Sequence, residues 1–331
     1  MAPINPRRNE TIGMPERLVR KKAVPSKWRD IISYVRRYYS LYLMVLPGLV
    51  GFLIFGYGPM VGLLLAFKDY DLLSGLWGSP WVGLRWFQGF FEDPFFFRLV
   101  RNTFLLGTLS LLFGFPMPII LALLLNEVRV TWFKRLVQSI SFLPFFIATV
   151  VVVGMIHMMF STDGVINRVL VENGTERVNF LGSPGWFRPL YIGSEVWQFT
   201  GYFAILYLAA LTRIDPHLYE AAMMDGASRW HRLWYITFPG IMPTISVLFI
   251  LSLARVVSVG FERVFLLYNP ATYETADVIA TYVYRRGIIG RNFGYATAVG
   301  IFNAVIALVL TVGANTILRR VGSEETTATL W

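Results

Sequence analysis

Residues 102–126 read NTFLLGTLSLLFGFPMPIILALLLN, an apolar run without a charged side chain. A helix needs about 20 apolar residues to cross the hydrocarbon core of a bilayer, so this run predicts a membrane-spanning helix. Of the 331 residues in the chain, 55% are hydrophobic and 15% are charged, whereas a soluble domain has about 25% charged residues. The sequence therefore predicts an all-α polytopic membrane protein.

Other apolar segments reach or approach the same length, which gives about six predicted transmembrane helices. They are residues 41–67, 102–126, 139–160, 190–211, 242–260 and 294–318. The fourth and fifth contain charged residues, so each of these two could instead enter the membrane only in part. Residues 41–318 thus form the predicted transmembrane domain, between a basic N-terminal tail at 1–40 and a C-terminal tail at 319–331. The aromatic segment 77–97 suits a short helix at the headgroup level.

The distribution of charge predicts the orientation, because basic loops are retained in the cytoplasm. With six spans, both tails share one side with the loops 127–138 and 212–241, and that side carries 18 Lys and Arg against nine Asp and Glu. The loops on the other side carry 11 basic and ten acidic residues. Both termini are therefore predicted to be cytoplasmic, and we expect no cleaved signal peptide. Orientation accounts for the net charge of +10, so no nucleic-acid partner is predicted.

The residues that catalysis or cofactor binding would need are missing from the sequence or widely separated in it. The chain has no cysteine, which excludes disulfides, Cys-ligated zinc, iron–sulfur clusters and thiol catalysis. Its three histidines, His157, His217 and His231, are too scattered for a metal site or a catalytic triad. There is no GxxxxGK[ST] phosphate loop and no GxSxG elbow. We therefore expect no enzyme activity, and no metal or cofactor bound by this chain.

The loop at residues 215–239 predicts a helix, a turn and a second helix. Asp215 precedes a proline, a pattern typical of a helix start, and Gly226 suits the left-handed residue that ends a helix. Ser228 can cap the second helix, which Pro239 is expected to end before the fifth span. The apolar residues of that second helix share one face that would contact lipid or a partner protein: Trp230, Leu233 and Trp234.

Within this loop, YEAAMMDGASRWHRLWYITFP at residues 219–239 resembles the EAA motif of binding-protein-dependent ABC importer permeases. The motif reads EAA, three residues, G, nine residues, I, one residue and LP, and Phe238 stands here in place of the leucine. In that family the loop is the coupling helix that docks into the ATP-hydrolysing subunit. The resemblance implies a coupling role for eight residues: Glu220, Ala221, Ala222, Asp225, Gly226, Ala227, Ser228 and Trp230.

The resemblance extends over nearly the whole chain. The stretches YLMVLPGLVGF, FGFPMPIILALLLNEVR and GFERVFLLYNPATYETADVIATYVYRRG and the terminal Leu330-Trp331 are similar to the LplB-type branch of the maltose-permease superfamily. Permeases of that branch are associated with complex oligosaccharides, including pectin-derived and alginate-derived uronate chains. The resemblance implies a type I ABC importer permease fold in a bacterial cytoplasmic membrane, and import of oligosaccharide by alternating access.

The same resemblance implies the partners and the source of energy. They are a second homologous permease subunit, an ATPase dimer that binds ATP and magnesium, an extracytoplasmic solute-binding protein, the oligosaccharide itself and the lipid bilayer. This chain would then bind no cofactor of its own.

Polar and aromatic residues within the spans are candidates for the translocation path, because charges in a membrane usually face a cavity or each other. These candidates are Glu195, Trp197, Gln198, Arg255 and Asn303. Glu195 and Arg255 could equally pair with neighbouring helices, and Trp197 could pack in the core. Arg255, with Arg285 and Arg286 of an outer loop, would suit the carboxylates of a uronate cargo, since a guanidinium forks onto two carboxylate oxygens.

Two other classes of function remain open at this point. Six spans would also allow a secondary transporter driven by an ion gradient, which predicts an inverted repeat and acids within the membrane. The sequence shows no clear repeat, and Glu195 is its candidate acid. A membrane scaffold or receptor would not need polar residues in its spans. Within the ABC family, the alternative is a permease for neutral oligosaccharides.

Overall fold

The structure is a computed structural model that describes residues 34–257 and 259–321. The described backbone is mostly helical and contains no strand, apart from one isolated bridge between Lys68 and Trp81. The predicted all-α class is therefore confirmed. Residues 1–33 and 322–331 of the two predicted tails lie outside the described residues.

The helices range from single turns to lengths that can cross a bilayer. Besides helical backbone at residues 34–37, they are α1 Tyr39–Phe52, α2 Gly75–Gly78, α3 Arg85–Phe91, α4 Phe96–Gly114, α5 Pro116–Glu127, α6 Thr131–Phe142, α7 Thr149–Phe160, α8 Val165–Glu172, α9 Pro184–Leu211, α10 Pro216–Met224, α11 Arg229–Arg232, α12 Phe238–Val257, α13 Phe261–Leu267, α14 Tyr273–Ala276, α15 Ile279–Val283 and α16 Phe293–Val321. The 3-10 turns are Gly58–Phe67, Leu143–Phe146 and Pro270–Thr272, and the π turns are Leu53–Tyr57, Leu233–Thr237 and Tyr284–Ile289.

The chain divides into two compact units, residues 1–61 and 62–331. In the described part of the first unit, α1 is apolar on all sides and buries none of its side chains within the chain. A helix that is hydrophobic all round needs an apolar environment, which lipid or another chain would supply. The second unit contains α2 to α16 and every site described below.

Stretches long and apolar enough to cross a membrane occur five times in the described residues: Tyr39–Phe67, Phe96–Glu127, Thr149–Glu172, Arg229–Leu253 and Phe293–Thr316. These five overlap five of the six predicted segments. The remaining predicted segment, residues 190–211, lies inside α9, which runs for 28 residues without interruption through Pro189. At 1.5 Å per residue, α9 is about 42 Å long and therefore long enough to cross a bilayer.

The third predicted segment, residues 139–160, is not one helix. The chain leaves α6 at Phe142, passes through a 3-10 turn that contains Pro144, and has extended backbone at Ile147 before α7 begins. Proline lacks an N–H group and disrupts the helix before it. Such a break is tolerated inside a membrane where protein groups pair with the free backbone, and Gln198 Nε2 donates to the carbonyl oxygen of Ile147 at 2.6 Å.

The predicted helix end at Pro239 is wrong. From α11 the chain continues through the π turn Leu233–Thr237 directly into α12, with Pro239 as its second residue. A π turn is wider than an α turn, which gives the proline ring room and removes the need to break the helix. As a result, the loop and the fifth predicted span form one continuous helical rod.

Helix α9 is the central element of the second unit, because it contributes to two of the buried clusters. Tyr191 lies in a cluster with Val264 of α13, and Tyr207 in a cluster with Ile241 of α12. A third cluster, which includes Phe90 and Tyr282, joins α3, α4, α15 and α16.

Two glycines allow helix backbones to touch. A Cβ atom at Gly201 of α9 would lie 1.9 Å from the carbonyl oxygen of Ser141 in α6, and one at Gly107 of α4 would lie 1.8 Å from that of Val256 in α12. Small residues of this kind are typical of close helix contacts in membranes. Helices α6 and α9 can therefore approach this closely only with glycine at position 201.

We predict that Gly201→Ala destabilises the protein, because the new methyl group overlaps backbone atoms that cannot rotate away. Overpacking of this kind costs about 1 to 3 kcal/mol. Gly193→Ala in the same helix is the matched control, since nothing lies within 4 Å of its Cβ position and alanine favours helix. In thermal unfolding of the purified protein, the midpoint should fall for Gly201→Ala and hold or rise for Gly193→Ala. Equal midpoints would contradict the contact.

Candidate functional site

A cavity of about 310 Å³ lies inside the second unit, lined mainly by α4, α5, α9, α12 and the beginning of α13. Helix α9 contributes a lining residue every four positions: Tyr191, Glu195, Phe199, Phe203 and Tyr207. Residues four apart lie on one helix face, so these side chains form a stripe about 24 Å long. Tyr191 and Tyr207 are buried, at 2% and 1% exposure, so the half-buried rings of Phe199 and Phe203 offer the faces on which the apolar face of a sugar can pack.

Arg255 of α12 lines this cavity and is exposed. Its Nη2 donates to Ser252 Oγ at 3.0 Å, and its guanidinium lies 5.1 Å from the centre of the Phe203 ring. In the part of the chain that the structure describes, no carboxylate lies within 4 Å of Arg255. The positive charge therefore has no salt-bridge partner among the described residues and faces the cavity.

Glu195 also lines the cavity, on the stripe of α9. Its Oε2 accepts a hydrogen bond of 2.6 Å from Ser110 Oγ on α4. Within the described residues, the hydrogen-bond partner of Glu195 is thus a neutral hydroxyl, no cation lies within 4 Å of it, and it links two helices across the cavity wall.

Arg263 of α13 is a cavity residue that the sequence did not indicate. Its side chain is buried, with Nη1 donating to Ser194 Oγ at 2.8 Å and Nη2 donating to Gln198 Oε1. The rings of Tyr191 and Phe199 lie 5.9 and 5.8 Å from its guanidinium, at distances typical of cation–π contacts. The sequence predicts Arg263 to lie in an outer loop. Its position three residues after the fifth predicted span is the one feature of the sequence that could have indicated a place at the cavity.

The other predicted path residues do not line this cavity. Gln198 is buried behind it, where it joins Arg263 to the free carbonyl of Ile147. Trp197 is 47% exposed on another side of α9, and Asn303 is half-buried on α16. Of the five candidates, the structure therefore brings Glu195 and Arg255 together at the cavity.

Arg285 and Arg286 are engaged elsewhere. Arg285 Nη2 lies 2.6 Å from Asp277 Oδ2, and Arg286 Nε donates to the hydroxyl of Tyr282 at 3.0 Å. Burial raises the pKa of Tyr282, and its hydrogen bond to Asp93 raises it further, so the phenol stays protonated and keeps donating. These contacts give the two arginines structural partners, away from the cavity lining.

The loop from Asp215 adopts the predicted helix, turn and helix. Asp215 Oδ1 accepts a 2.9 Å hydrogen bond from the backbone N–H of His217 and caps α10. Gly226 has a φ of +76°, the left-handed conformation expected of it. Ser228 Oγ accepts from the backbone N–H of His231 at 3.3 Å and caps α11. The predicted caps and turn are thus confirmed.

This loop presents an exposed surface. Of the eight predicted coupling residues, Ala222 and Ala227 are half-buried and the others are exposed. Large apolar side chains stand beside them, with Met224 89% exposed and Trp230 70% exposed. A hydrogen bond of 3.0 Å between Tyr219 OH and Thr237 Oγ1 ties α10 to the π turn that leads into α12. The loop is therefore fastened to the helix that carries Arg255.

Comparison with known proteins matches residues 114–323 to the binding-protein-dependent transport system inner membrane component family. Protein LplB of Bacillus subtilis is 47% identical over 285 residues, which cover 86% of this chain and 90% of that protein. The polygalacturonan/rhamnogalacturonan transport system permease protein YteP of the same organism is 46% identical over 297 residues, which cover 89% of this chain and 92% of that protein.

Solved structures show the same relationship. A chain in the crystal structure of a bacterial ABC transporter involved in the import of the acidic polysaccharide alginate has a TM-score of 0.82 and 47% identity, covering 89% of this chain and 99% of that one. The expected ABC importer permease fold is thereby confirmed. The family match over more than half of the chain and the high identity to these relatives show that this chain belongs to the binding-protein-dependent transport system inner membrane components, the permeases of ABC importers.

Proposed function

We propose that this permease imports acidic oligosaccharides across the cytoplasmic membrane. The observation that carries the proposal is the cavity-facing Arg255, which has no carboxylate within 4 Å in the described residues. A guanidinium binds a carboxylate through two parallel hydrogen bonds, and the aromatic stripe beside it can pack against sugar rings. The relatives support an acidic cargo, since one is named for polygalacturonan transport and a similar structure belongs to an importer of the acidic polysaccharide alginate.

The assembly that we propose contains a second, homologous permease, a dimer of ATPase subunits, and an extracytoplasmic solute-binding protein. A similar chain, with 47% identity and a TM-score of 0.81, comes from a bacterial alginate ABC transporter in complex with an alginate pentasaccharide-bound periplasmic protein, which supports the last of these partners. Hydrolysis of magnesium-bound ATP in the ATPase subunits supplies the energy. Both termini of this chain lie in the cytoplasm, on the same side as the coupling loop.

The route from the coupling loop to the cavity runs along a single continuous helix. In the proposed assembly, the exposed surface around Glu220, Gly226 and Trp230 docks on the ATPase. A movement of the docked loop reaches α12 through the Tyr219 and Thr237 hydrogen bond and the unbroken π turn. Helix α12 carries Arg255 near its other end, so movement of the loop changes the position of the cavity cation. This coupling supports alternating access.

A permease for neutral oligosaccharides is the second candidate. It is favoured by the acidic side chains in the cavity lining, because Glu195 and Glu262 balance the charges of Arg255 and Arg263. Neutral sugars would use the same aromatic stripe and the hydroxyl groups around it. The two candidates differ in whether Arg255 distinguishes acidic from neutral cargo.

We predict that Arg255→Ala lowers uptake of uronate oligosaccharides by about tenfold or more, because a hydrogen bond to a charged group contributes about 1.5 to 3 kcal/mol. Uptake of neutral oligosaccharides of the same length should change little. Arg255→Lys should lower uronate uptake less than Arg255→Ala does, since lysine keeps the positive charge but cannot form the two parallel hydrogen bonds of a guanidinium. Transport into proteoliposomes that contain the whole complex measures the uptake of acidic and of neutral oligosaccharides. An equal loss for acidic and neutral cargo would favour the neutral-sugar permease and a structural role for Arg255.

We predict that Gly226→Val abolishes transport without preventing membrane insertion. The space around Gly226 is open, so the effect comes from its positive φ, which a β-branched residue adopts only with strain. Gly226→Asn is the matched control, because asparagine tolerates this conformation. Uptake and co-purification of the ATPase should fall for the valine variant and be largely kept for the asparagine variant. Uptake at the wild-type rate by Gly226→Val would contradict a role of this loop in coupling.

A further inference from the structure

We propose that Arg101 and Arg188, at the ends of α4 and α9 away from the coupling loop, form a second anion site that binds carboxylates of the cargo before they reach the cavity. The identity of the ligand rests on the proposed function, that is, on an acidic cargo. The existence of an anion site rests on the contacts and charges of the two arginines themselves.

A buried amide brings the two guanidinium groups together. Asn102 is fully buried, and its Oδ1 accepts hydrogen bonds from Arg188 Nη2 at 3.2 Å and, at the limit of 3.5 Å, from Arg101 Nη2. Its Nδ2 donates to the carbonyl oxygens of Glu274 and Asp277 at 2.9 and 3.1 Å. Asn102 is thereby fixed in place, and two positive charges converge on one neutral oxygen.

Neither charge forms an ion pair among the described residues, although the charge of Glu274 acts on Arg188. Among the described residues, no carboxylate lies within 4 Å of Arg101 or Arg188. The buried carboxylate of Asp277 is already shared by Arg98 at 3.4 Å and Arg285 at 2.6 Å. Neighbouring like charges repel each other, so binding of an anion between them would be favourable.

Hydrogen-bond donors are also in excess here. The Nε atoms of Arg98 and Arg188 are buried and have no hydrogen-bond partner among the described residues. Buried donors without acceptors are uncommon and costly. These Nε atoms are closed to a ligand, so a carboxylate, which has two oxygens and up to four lone pairs, would bind through the exposed guanidinium of Arg101 and the half-buried one of Arg188.

The position of the cluster favours the cargo as the ligand. Arg188 precedes the cavity residue Tyr191 by three positions on α9, and Asn102 precedes the cavity residue Gly107 by five positions on α4. These separations correspond to about 5 and 8 Å along the helices. Arg188 lies seven positions before the cavity residue Glu195 on the same face of α9, and Asn102 joins it to α4. Arg188 therefore extends the cavity-lining face of α9 beyond Tyr191, where a chain with one carboxylate on each sugar would meet it.

The test measures binding of a labelled five-residue oligogalacturonate to the whole complex in nanodiscs, without the binding protein. We expect Arg188→Gln and Arg101→Gln each to weaken binding by about tenfold, and Arg188→Lys to weaken it less. Arg168→Gln is the matched control, because Arg168 is an exposed arginine of α8 whose Nε donates to the backbone oxygen of Asp163. It should bind like the wild type. The thermal midpoint of each variant shows whether it folds, and the exposed position of Arg101 keeps the test valid if Arg188→Gln does not fold.

The contrary outcomes are distinct. If the Arg188 and Arg101 variants bind like the wild type while Arg255→Ala binds more weakly, the second site is overturned and the acidic cargo stands. If the wild type binds the oligogalacturonate no better than a neutral pentasaccharide, the acidic cargo itself fails. If Arg188→Gln weakens association of the cargo-free binding protein and leaves cargo binding unchanged, the arginines dock that protein and the cargo site is overturned.

Discussion

The hydrogen bonds of Gln198 hold together the parts of the chain that meet behind the cavity. In apolar surroundings, a polar group without a partner is costly, so each one has to be paired within the protein. The amide of Gln198 donates to the free carbonyl of Ile147, where the chain breaks before α7, and accepts from the buried guanidinium of Arg263. One side chain on α9 thereby satisfies a broken backbone and orients a cavity cation.

Helix α12 connects the two functional regions in a similarly direct way. It begins at the π turn beside the coupling loop and carries Arg255 near its other end. Its backbone touches α4 at Gly107, next to the cavity. Because the helix is continuous from the π turn to Arg255, with Pro243 inside it, one element connects the loop to the cavity cation. This link is the structural basis on which we infer coupling in this chain.

Much of the fold could be predicted because it depends on local sequence. The length of the apolar segments predicted the membrane-spanning stretches. The caps at Asp215 and Ser228 and the turn at Gly226 follow from short-range backbone chemistry. The predictions of one helix over residues 139–160 and of a helix end at Pro239 were wrong, because tertiary contacts and the π turn decide whether a proline ends a helix. The helix breaks at Pro144, and the free carbonyl of Ile147 accepts a hydrogen bond from Gln198, whereas the helix continues through Pro239 because a π turn makes room for it.

The candidate site was predicted in part for the same reason. Arg255 and Glu195 stood out as charges within apolar runs, but Arg263 lay outside them and enters the cavity by folding back against α9. The pairing of Arg285 with Asp277 also depends on tertiary packing.

The central claim, an ABC importer for acidic oligosaccharides, is tested most directly by ATP hydrolysis in liposomes containing the wild-type complex and its binding protein. Alginate or pectin fragments should stimulate hydrolysis, whereas neutral oligosaccharides of equal length should not. Stimulation by the neutral sugars alone would contradict the claim.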